Sequence, residues 1–289
     1  MQHVTVRVPG STSNLGPGFD CLGVALRIYN FITVVRGGQH SHPRIVDAAA
    51  RLFFERSGMK SFPFRYSINQ RVPRARGLGS SATVRLGVLH GLNRLTGNPF
   101  NRSSIFRVCA KLEGHPDNAA SANFGGFTVV RRVNIQRFPV SQSLYFVLLI
   151  PELEIKTSRA RQILPVRIAR VAAVETCANA CSITAAFAAG DYRSLRKSFG
   201  DHLHQPFRQK LIPFLSGVIG AAEDAGALGA FLSGSGSTIV AVTLKTPEKI
   251  ATAMLRAAGV KAETLITTAD NQGVRLVQSP ITKLHGPAT

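Results

Sequence analysis

Apolar and polar residues alternate at the start of the chain, where Val4, Val6 and Val8 are separated by polar side chains. A period of two is typical of a strand that buries one face. Short apolar runs bounded by turn residues predict further strands. These strands span residues 24–35, 64–72, 127–133, 144–150, 227–232, 238–244 and 263–267, whereas residues 9–18, which are rich in Ser, Asn, Gly and Pro, are expected to form a loop.

Segments with helical spacing lie between these strands. A helix predicted over residues 80–95 should end at Gly97-Asn98-Pro99, a combination that terminates helices strongly. Further helices are predicted at 45–56, from a cap at Ser103 or Ser104 to about Gly114, and at 158–163, 166–189, 191–199, 211–226 and, after a cap at Thr246, 247–258. Because the second half is richer in helix, we expect an α+β chain of two domains, residues 1–141 and 142–289.

The composition is that of a folded globular protein with an unusual charge. Of 289 residues, 45% are apolar and 17% are charged, and the net charge is +20. Such a charge would ordinarily suggest a nucleic-acid partner. The basic residues are scattered, however, without a long basic run, a zinc finger or an aromatic platform. We therefore do not expect nucleic-acid binding, although a basic surface would attract polyanions such as ATP.

We expect neither a targeting segment nor a membrane anchor. Its first residues, MQHVTVRVPG, lack the features of a signal peptide, and the longest strongly apolar run, 144–150, is too short to cross a bilayer. A cytoplasmic protein is expected. The four cysteines form no C-x-x-C pair and no zinc spacing, so free thiols are expected of Cys21, Cys109, Cys177 and Cys181.

Residues 74–85, RARGLGSSATVR, place two glycines and two serines before an apolar helix. Glycine lets the backbone approach an anion closely, and the N–H groups at a helix N-terminus bind phosphate. A P-loop would need a lysine after Gly79, and a dinucleotide fingerprint would need an acidic residue about 20 positions further on. The chain has neither, since no Asp or Glu lies between Glu55 and Glu113. The segment predicts a phosphate cradle of another kind, with an ordinary glycine turn as the alternative.

Two more segments accompany the cradle, VPGSTSNLGPGFDCLG at 8–23 and AFLSGSGST at 230–238. Together, in this order, the three resemble the signature of the GHMP kinases, the family of galactokinase, homoserine, mevalonate and phosphomevalonate kinases. Agreement among three segments disfavours three unrelated loops. The resemblance implies an α+β, two-domain GHMP kinase fold, with an N-terminal domain like domain 2 of ribosomal protein S5, a ferredoxin-like C-terminal domain, and ATP in the cleft between them.

Within that family the chain resembles the homoserine kinases. The matching segments are LEGHPDN at 112–118, NFGG at 123–126, TSRARQILP at 157–165 and QPFRQKLIP at 205–213, so the similarity covers nearly the whole chain. It implies ATP-dependent phosphorylation of the side-chain hydroxyl of L-homoserine in threonine biosynthesis. Mg²⁺ is the implied metal ion, and a homodimer is the implied assembly.

The resemblance also assigns residues to the nucleotide and the metal ion. Backbone N–H groups of the glycine turn would wrap the phosphates, within a binding segment formed by Pro73, Arg74, Ala75, Arg76, Gly77, Leu78, Gly79, Ser80, Ser81, Ala82 and Thr83. Ser81 and Glu113 would hold Mg²⁺, which takes few protein oxygens and keeps several waters.

The implied substrate-binding residues are Asn14, Asp20, His115, Asn118, Thr157, Arg161, Arg208 and Gly234. Asp20 offers the charge that an ammonium group needs, and the arginines suit a carboxylate because guanidinium binds it in a bidentate fork. Asn118, a catalytic candidate with Ser81 and Glu113, stands where mevalonate and galactose kinases have an aspartate base. No general base is therefore expected, and Asp117 is the competing candidate.

Three positions depart from the family pattern. Ser237 replaces a proline in the third segment, Arg85 stands where a small apolar residue is usual, and Arg44 where an asparagine is common. Two alternatives stay open: a GHMP kinase for another small alcohol, such as threonine or mevalonate, and a GHMP-fold protein that binds ligand without phosphorylating it. A Ser/His/Asp hydrolase is disfavoured because the chain has no G-x-S-x-G nucleophile elbow.

Overall fold

The computed structural model describes residues 2–38 and 41–277 of the chain. Within these residues the strands are β1 (His3–Ser13), β2 (Leu22–Arg36), β3 (Phe64–Asn69), β4 (Phe127–Arg131), β5 (Asn134–Phe138), β6 (Tyr145–Pro151), β7 (Gly229–Leu232), β8 (Ile239–Thr243), β9 (Ala262–Thr268) and β10 (Arg275–Val277). The α-helices are α1 (Arg44–Ser57), α2 (Ser80–Leu95), α3 (Arg102–Glu113), α4 (Asp117–Phe124), α5 (Thr157–Gln162), α6 (Arg170–Ala189), α7 (Gln205–Arg208), α8 (Leu215–Asp224) and α9 (Pro247–Ala258). Short 3-10 helices occur at Tyr192–Leu195 and Gln209–Leu211.

The first sheet is antiparallel and carries helices α1 to α4. Its strand order is β10-β1-β2-β4-β5, and β3 pairs with the second part of β2. Val6 and Val8 point into the core that the helices share, as the period of two predicted. The same core contains Leu86 and Leu89 of α2, so the cradle helix is fixed against the sheet through its apolar side.

The second sheet, with strand order β7-β8-β6-β9, is also antiparallel. Helices α5, α6 and α7 come between β6 and α8. Apart from these inserted helices, strand β6, helix α8, strands β7 and β8, helix α9 and strand β9 form in chain order the β-α-β-β-α-β arrangement of the predicted ferredoxin-like fold. Strand β6 is buried on both faces: Phe146 and Leu148 belong to one core, Val147 and Leu149 to another. Burial on both faces explains why β6 appears in the sequence as a continuous apolar run.

The two halves share a core. The rings of Phe127 in β4 and Phe187 in α6 stack with their centroids 4.2 Å apart. Strand β10 leaves the second half and pairs with β1 in the first sheet. The predicted second domain, residues 142–289, therefore sends a strand back to the first sheet, and its residues 278–289 lie outside the described part of the chain. The boundary near residue 142 stays a prediction.

Several strand boundaries differ from the sequence-based prediction. Residues 9–13 were expected in a loop, but β1 runs to Ser13 because its pairing with β2 resumes after a register shift between Pro9 and Gly10. Strand β3 ends at Asn69 instead of residue 72. Strands β5 and β10 were not predicted. The sequence of β5, NIQRF, is mostly polar and exposed, so it carries little apolar signal.

Helix boundaries were also only partly predicted. The N-cap of α3 is Asn101, whose side chain accepts from the Ser104 N–H at 2.8 Å, so the expected serine cap is wrong. Thr246 does precede α9, but its side chain makes no capping hydrogen bond. Helices α6 and α8 are shorter than predicted, and residues 191–199 contain only a 3-10 turn. Helix α4 was missed because it is buried nearly all round and therefore lacks an amphipathic period.

Helix α6 has an apolar exposed surface. Among the described helices, α6 is the one whose length and composition would suffice to cross a membrane. Ile183 and Phe187 are buried in the core, whereas Val171 is 76% and Val174 is 64% exposed. The four cysteines are free, as predicted, and two of them, Cys177 and Cys181, lie exposed on this helix.

Candidate active site

A cleft of about 270 Å³ lies between the two sheets and their helices, and the predicted site residues converge on it. All eight predicted substrate-binding residues line it: Asn14, Asp20, His115, Asn118, Thr157, Arg161, Arg208 and Gly234. So do Glu113 and most of the predicted nucleotide-binding segment, namely Ala75, Arg76, Gly77, Leu78, Gly79, Ser80 and Ser81.

Direct hydrogen bonds join the three motif segments. The Ser11 N–H of the first segment donates to the Leu78 carbonyl of the second at 3.1 Å. The Ser233 hydroxyl of the third donates to the Gly77 carbonyl at 2.7 Å. The Asn14 side chain donates to the Gly234 carbonyl at 3.0 Å and so connects the first segment with the third. Segments far apart in sequence thus form one rigid floor for the cleft.

The two cradle glycines are required by geometry at this junction. Gly77 and Gly79 have φ of +76° and +67°, a region that other residues rarely adopt. A Cβ on Gly77 would lie 2.1 Å from the Ser233 carbonyl oxygen, and a Cβ on Gly79 would lie 2.3 Å from Ser11 Oγ. Gly79 is the N-cap of α2, and no side chain caps that helix end. Its first N–H groups are therefore suited to bind phosphate oxygens.

Glu113, at the last residue of α3, faces the first turn of α2. The Ser81 hydroxyl donates to Glu113 Oε2 at 2.8 Å. On the other side, Arg85 Nη1 donates to Glu113 Oε1. The described residues contain no cluster of three or more His, Cys, Asp or Glu that could hold a metal ion by itself. A hydroxyl and a carboxylate fit Mg²⁺ bound together with nucleotide phosphates, because Mg²⁺ prefers hard oxygen ligands.

At another part of the cleft Asp20 and Arg161 form a bidentate ion pair. Arg161 Nη1 and Nη2 donate to the two carboxylate oxygens of Asp20 at 3.0 and 2.6 Å. The backbone N–H of Asp20 donates to the side-chain oxygen of Asn14. Asp20 itself has a φ of +58°. The Asp20 hydrogen bond and charge raise the pKa of Arg161 against the effect of burial.

Arg208 lines the same cleft and is almost fully buried, with 1% of its surface exposed. Its Nη1 donates to the Gly234 carbonyl at 2.7 Å and to Nδ1 of His204 at 3.2 Å. Arginine is only a donor, so His204 accepts through Nδ1 and donates through Nε2 to the Gly16 carbonyl at 2.8 Å. Burial lowers the pKa of His204 to about 4 and that of Arg208 to about 10. A neutral histidine thus orients a charged arginine.

His115, Asp117 and Asn118 form a third group. Burial disfavours the imidazolium of His115, but the hydrogen bond and charge of Asp117 outweigh it and raise the pKa of His115. Burial likewise disfavours the Asp117 carboxylate, yet the His115 hydrogen bond and charge lower the pKa of Asp117. The Asn118 amide donates to Ser13 Oγ at 3.0 Å and accepts from Ser11 Oγ at 2.8 Å. Two serines therefore fix its orientation.

Some predicted residues do not line the cleft. Ala82 and Thr83 are buried in α2, and Thr83 Oγ1 is bonded to Asn30 and to the Ser80 carbonyl. Pro73 and Arg74 precede the cradle, and Arg74 donates to Gln70. The remaining residues of the predicted nucleotide-binding segment line the cleft, so the part of the segment that faces the cleft is shorter than predicted.

The structure also adds residues that were not singled out from the sequence. Cleft residues missing from the predicted set are Ser13, Phe19, Ile155, Lys156 and Ser235. Most lie inside or next to a matched segment, which was the available signal. Phe19 is one residue that the sequence did not single out. The guanidinium groups of Arg161 and Arg208 both lie 5.3 Å from its ring centroid, and no local sequence pattern reveals this contact.

Two of the three departures from the family pattern are outside the chemistry of the cleft. Ser237 is buried, and its hydroxyl donates to the Leu153 carbonyl, so the side chain is satisfied. Arg44 is exposed at the first residue of α1 and does not line the cleft. Arg85 is different, because it contacts Glu113 directly.

Known proteins resemble this chain along most of its length. A family model described as the GHMP kinases N terminal domain matches residues 44–126, and one described as GHMP kinases C terminal matches residues 183–261. The chain is 33% identical to a homoserine kinase of Clostridium beijerinckii over 294 residues, which cover 95% of this chain and 99% of the relative. It is 37% identical to a homoserine kinase of Caldicellulosiruptor bescii over 257 residues, covering 83% and 84% of the two chains.

A solved structure agrees with these sequences. The crystal structure of a homoserine kinase from Cytophaga hutchinsonii matches with a TM-score of 0.87 and 27% identity, and the match covers 96% of this chain and 98% of that one. The fold of the whole described chain therefore has a counterpart of known structure.

Proposed function

The chain belongs to the GHMP kinase family, and from that premise we propose that it transfers the γ-phosphoryl group of ATP to the side-chain hydroxyl of L-homoserine, a step of threonine biosynthesis. The predicted family and the predicted two-domain fold are confirmed. The likeness of the first domain to domain 2 of ribosomal protein S5 stays a prediction. The relatives favour homoserine kinase over the alternatives for another alcohol or for a non-catalytic protein.

The observation that carries the substrate assignment is the paired charge of Asp20 and Arg161 in the same cleft as the phosphate cradle. An amino acid brings one ammonium and one carboxylate, so it can replace the contact between the two side chains with one contact to each. Arg208 contacts the same Phe19 ring as Arg161 and would add positive charge near the substrate carboxylate. Mevalonate has no ammonium and would leave Asp20 without a new partner.

The reaction forms a bond between the homoserine hydroxyl oxygen and the γ-phosphorus of ATP. The bond from that phosphorus to the bridging oxygen breaks, and ADP leaves with its electron pair. Catalysis of this kind depends on positioning and on neutralising phosphate charge. We assign the positioning of the phosphates to the backbone of Gly77 to Ser81, and the orientation of the substrate to Asp20, Arg161 and the fixed amide of Asn118.

The hydroxyl proton does not require a protein base. Asp117 is the nearest competing candidate, but its Oδ1 accepts from the Asn118 N–H at 2.8 Å and contacts His115 Nδ1 at 3.1 Å. These contacts lower the pKa of Asp117, and a carboxylate with a low pKa is a weak proton acceptor. We therefore propose that the proton passes to the phosphate or to solvent.

We also propose Mg²⁺ as the metal ion, held by Ser81 and Glu113. Both side chains line the cleft beside the cradle, and their oxygens suit the ion. When bound with ATP, Mg²⁺ would neutralise charge on the phosphates.

A homodimer and a cytoplasmic location are the remaining parts of the proposal. An apolar groove of about 660 Å³ lies along α6. The exposed Val171 and Val174 of the same helix also favour a surface covered by another copy of the chain. The exposed, free Cys177 and Cys181 suit a reducing compartment.

ADP release with Mg·ATP, measured against L-homoserine, L-threonine, mevalonate and no substrate, tests the function. Stimulation by homoserine alone in the wild type, and its loss in Glu113→Ala with the fold intact, is the expected result. Preference for another alcohol would overturn the substrate. ATP binding without turnover on any substrate would favour the non-catalytic alternative.

A further inference from the structure

Arg85 places a guanidinium on the carboxylate that we assign to the metal ion. Ser81 and Arg85 are four residues apart in α2, so their side chains share one face of the helix. Ser81 Oγ donates to Oε2 of Glu113 and Arg85 Nη1 donates to Oε1. Both carboxylate oxygens are thus engaged by side chains of the same helix.

A guanidinium and a divalent cation compete for one carboxylate. The side chains of Glu113 and Arg85 are 4% and 19% exposed, so water screens their attraction only weakly. The other acidic residues that line the cleft are engaged elsewhere, Asp20 with Arg161 and Asp117 with His115. A metal ion that binds Oε1 of Glu113 therefore competes with Arg85 for that oxygen.

The contact with Glu113 leaves the hydrogen bonding of Arg85 incomplete. Its Nε is buried and has no hydrogen-bond partner within residues 2–38 and 41–277. Buried polar side-chain atoms normally have a hydrogen-bond partner. The unsatisfied donor raises the free energy of this arrangement and makes the guanidinium easier to release.

We propose that Arg85 is a resident cation of the metal site. It neutralises Glu113 when no metal ion is bound, and it weakens metal binding by competing for Oε1. Arg85 is a positioning residue that sets how strongly nucleotide binding depends on Mg²⁺. The inference rests on the proposed placement of the metal at Ser81 and Glu113.

Calorimetric affinity of the full chain for ADP, measured once with Mg²⁺ and once with EDTA, tests this without catalysis. The ratio of the two dissociation constants should be about tenfold larger in Arg85→Met than in the wild type. Mg·ADP should bind more tightly because Glu113 is free, and metal-free ADP more weakly because the carboxylate is uncompensated. Arg85→Lys keeps the charge and should stay near the wild-type ratio; a lysine variant that behaves like the methionine variant would overturn the charge argument.

Arg94→Met is the matched control, because Arg94 lies exposed in the last turn of the same helix. It should change neither constant. Glu113→Gln should remove the metal dependence, and adding Arg85→Met to it should have no further effect. If Glu113→Gln leaves the ratio unchanged, the proposed metal placement is wrong. If Glu113→Gln lowers the ratio while Arg85→Met stays within about twofold of the wild type, the role of Arg85 is wrong.

Arg85→Gln provides a second route if the methionine variant does not fold. Glutamine keeps a hydrogen-bond donor for Glu113 but lacks the charge, so the ratio should rise as in Arg85→Met. An unchanged ratio in a folded Arg85→Gln variant would equally overturn the proposal.

Discussion

At the scale of single residues, the candidate site is organised by charge pairs. Asp20 with Arg161, and Asp117 with His115 when that histidine is protonated, bring opposite charges within hydrogen-bond distance along one cleft. Pairs of this kind keep charged side chains compensated until a charged ligand exchanges partners with them. The substrate and the metal ion would therefore bind by exchange, and single substitutions should separate their effects.

Arg161→Met should raise KM for L-homoserine about thirtyfold, because losing a charged hydrogen-bonding partner costs about 2 kcal/mol. KM for ATP should hardly change. The carboxamide of homoserine lacks the carboxylate charge, so Arg161→Met should raise the KM for the carboxamide much less. Steady-state kinetics on both substrates checks this, with Arg159→Met, exposed in the same short helix, as the control. Equal losses for acid and carboxamide would contradict the assignment of Arg161 to the carboxylate.

The charge state of His115 gives a prediction that depends on pH. Its pKa is raised above 6.5 in the folded chain, so the stabilisation by charged His115 is fully present below pH 6.5 and is lost as the pH rises through the folded-state pKa. Histidine ring signals in NMR should show His115 titrating above pH 6.5. Asp117→Asn should shift that titration to lower pH.

Two buried histidines serve as internal controls for that titration. Burial lowers the pKa of both His90 and His204 to about 4, so their signals should not move between pH 6 and 8. A His115 signal that titrates below pH 6.5 in the wild type would contradict the proposed pairing with Asp117.

At the scale of elements, the site depends on how helix α2 begins. Its apolar side is fixed in the core of the first sheet, and its N-terminus enters the cleft where the three motif segments touch. Gly77 allows this contact because its α-carbon packs against the third segment without a side chain. Gly77 is thus required both by its positive φ and by the close contact of this turn with the third segment.

Gly77→Ala should destabilise the chain by more than Gly97→Ala. Both glycines have positive φ, +76° and +85°, so both alanines bear a backbone cost of roughly 1–2 kcal/mol. A Cβ at Gly77 also meets the Ser233 carbonyl at 2.1 Å, whereas one at Gly97 meets nothing within 4 Å, which adds roughly 1–3 kcal/mol. Denaturant unfolding measures the difference. ATP binding should weaken only in Gly77→Ala, and equal effects of both substitutions would refute close packing of the segments.

At the scale of the whole molecule, two sheets with their helices form a cleft that neither contains alone. Its residues come from both halves of the chain, and β10 ties the end of the described chain to the first sheet. The cleft is lined by many polar and charged residues, whereas the exposed side of α6 is apolar. We expect this surface to be covered in solution.

Sedimentation equilibrium should give twice the chain mass of 31.0 kDa for the wild type. Val174→Glu should shift the mass towards that of a single chain, because burying an unpaired charge in an apolar interface is costly. Val166→Glu, at a fully exposed position before α6, is the control and should stay dimeric. A wild type with the mass of one chain would contradict the proposed dimer.

Sequence-based prediction succeeded for elements with local signals along the chain and failed for elements without them. Helix α2 was predicted with the observed bounds, since its apolar spacing and its Gly97-Asn98-Pro99 stop are local signals. Helix α4 and strand β5 were missed because one is buried all round and the other is a polar edge strand. An element without one apolar and one polar face shows no periodic alternation of apolar and polar residues in the sequence, so the sequence does not reveal it.

By itself, the sequence determined the family, and it predicted the phosphate cradle and the charged residues of the cleft, because each of these depends on short matched segments. Only the tertiary structure decided how these charges pair. Arg161 and Asp20 are 141 positions apart, and Arg85 and Glu113 are 28 apart. Whether side chains so distant meet depends on how sheets and helices pack, which no local pattern encodes. In the sequence, Arg85 is only a departure from the family pattern. The structure shows that it forms an ion pair with Glu113, the proposed metal ligand.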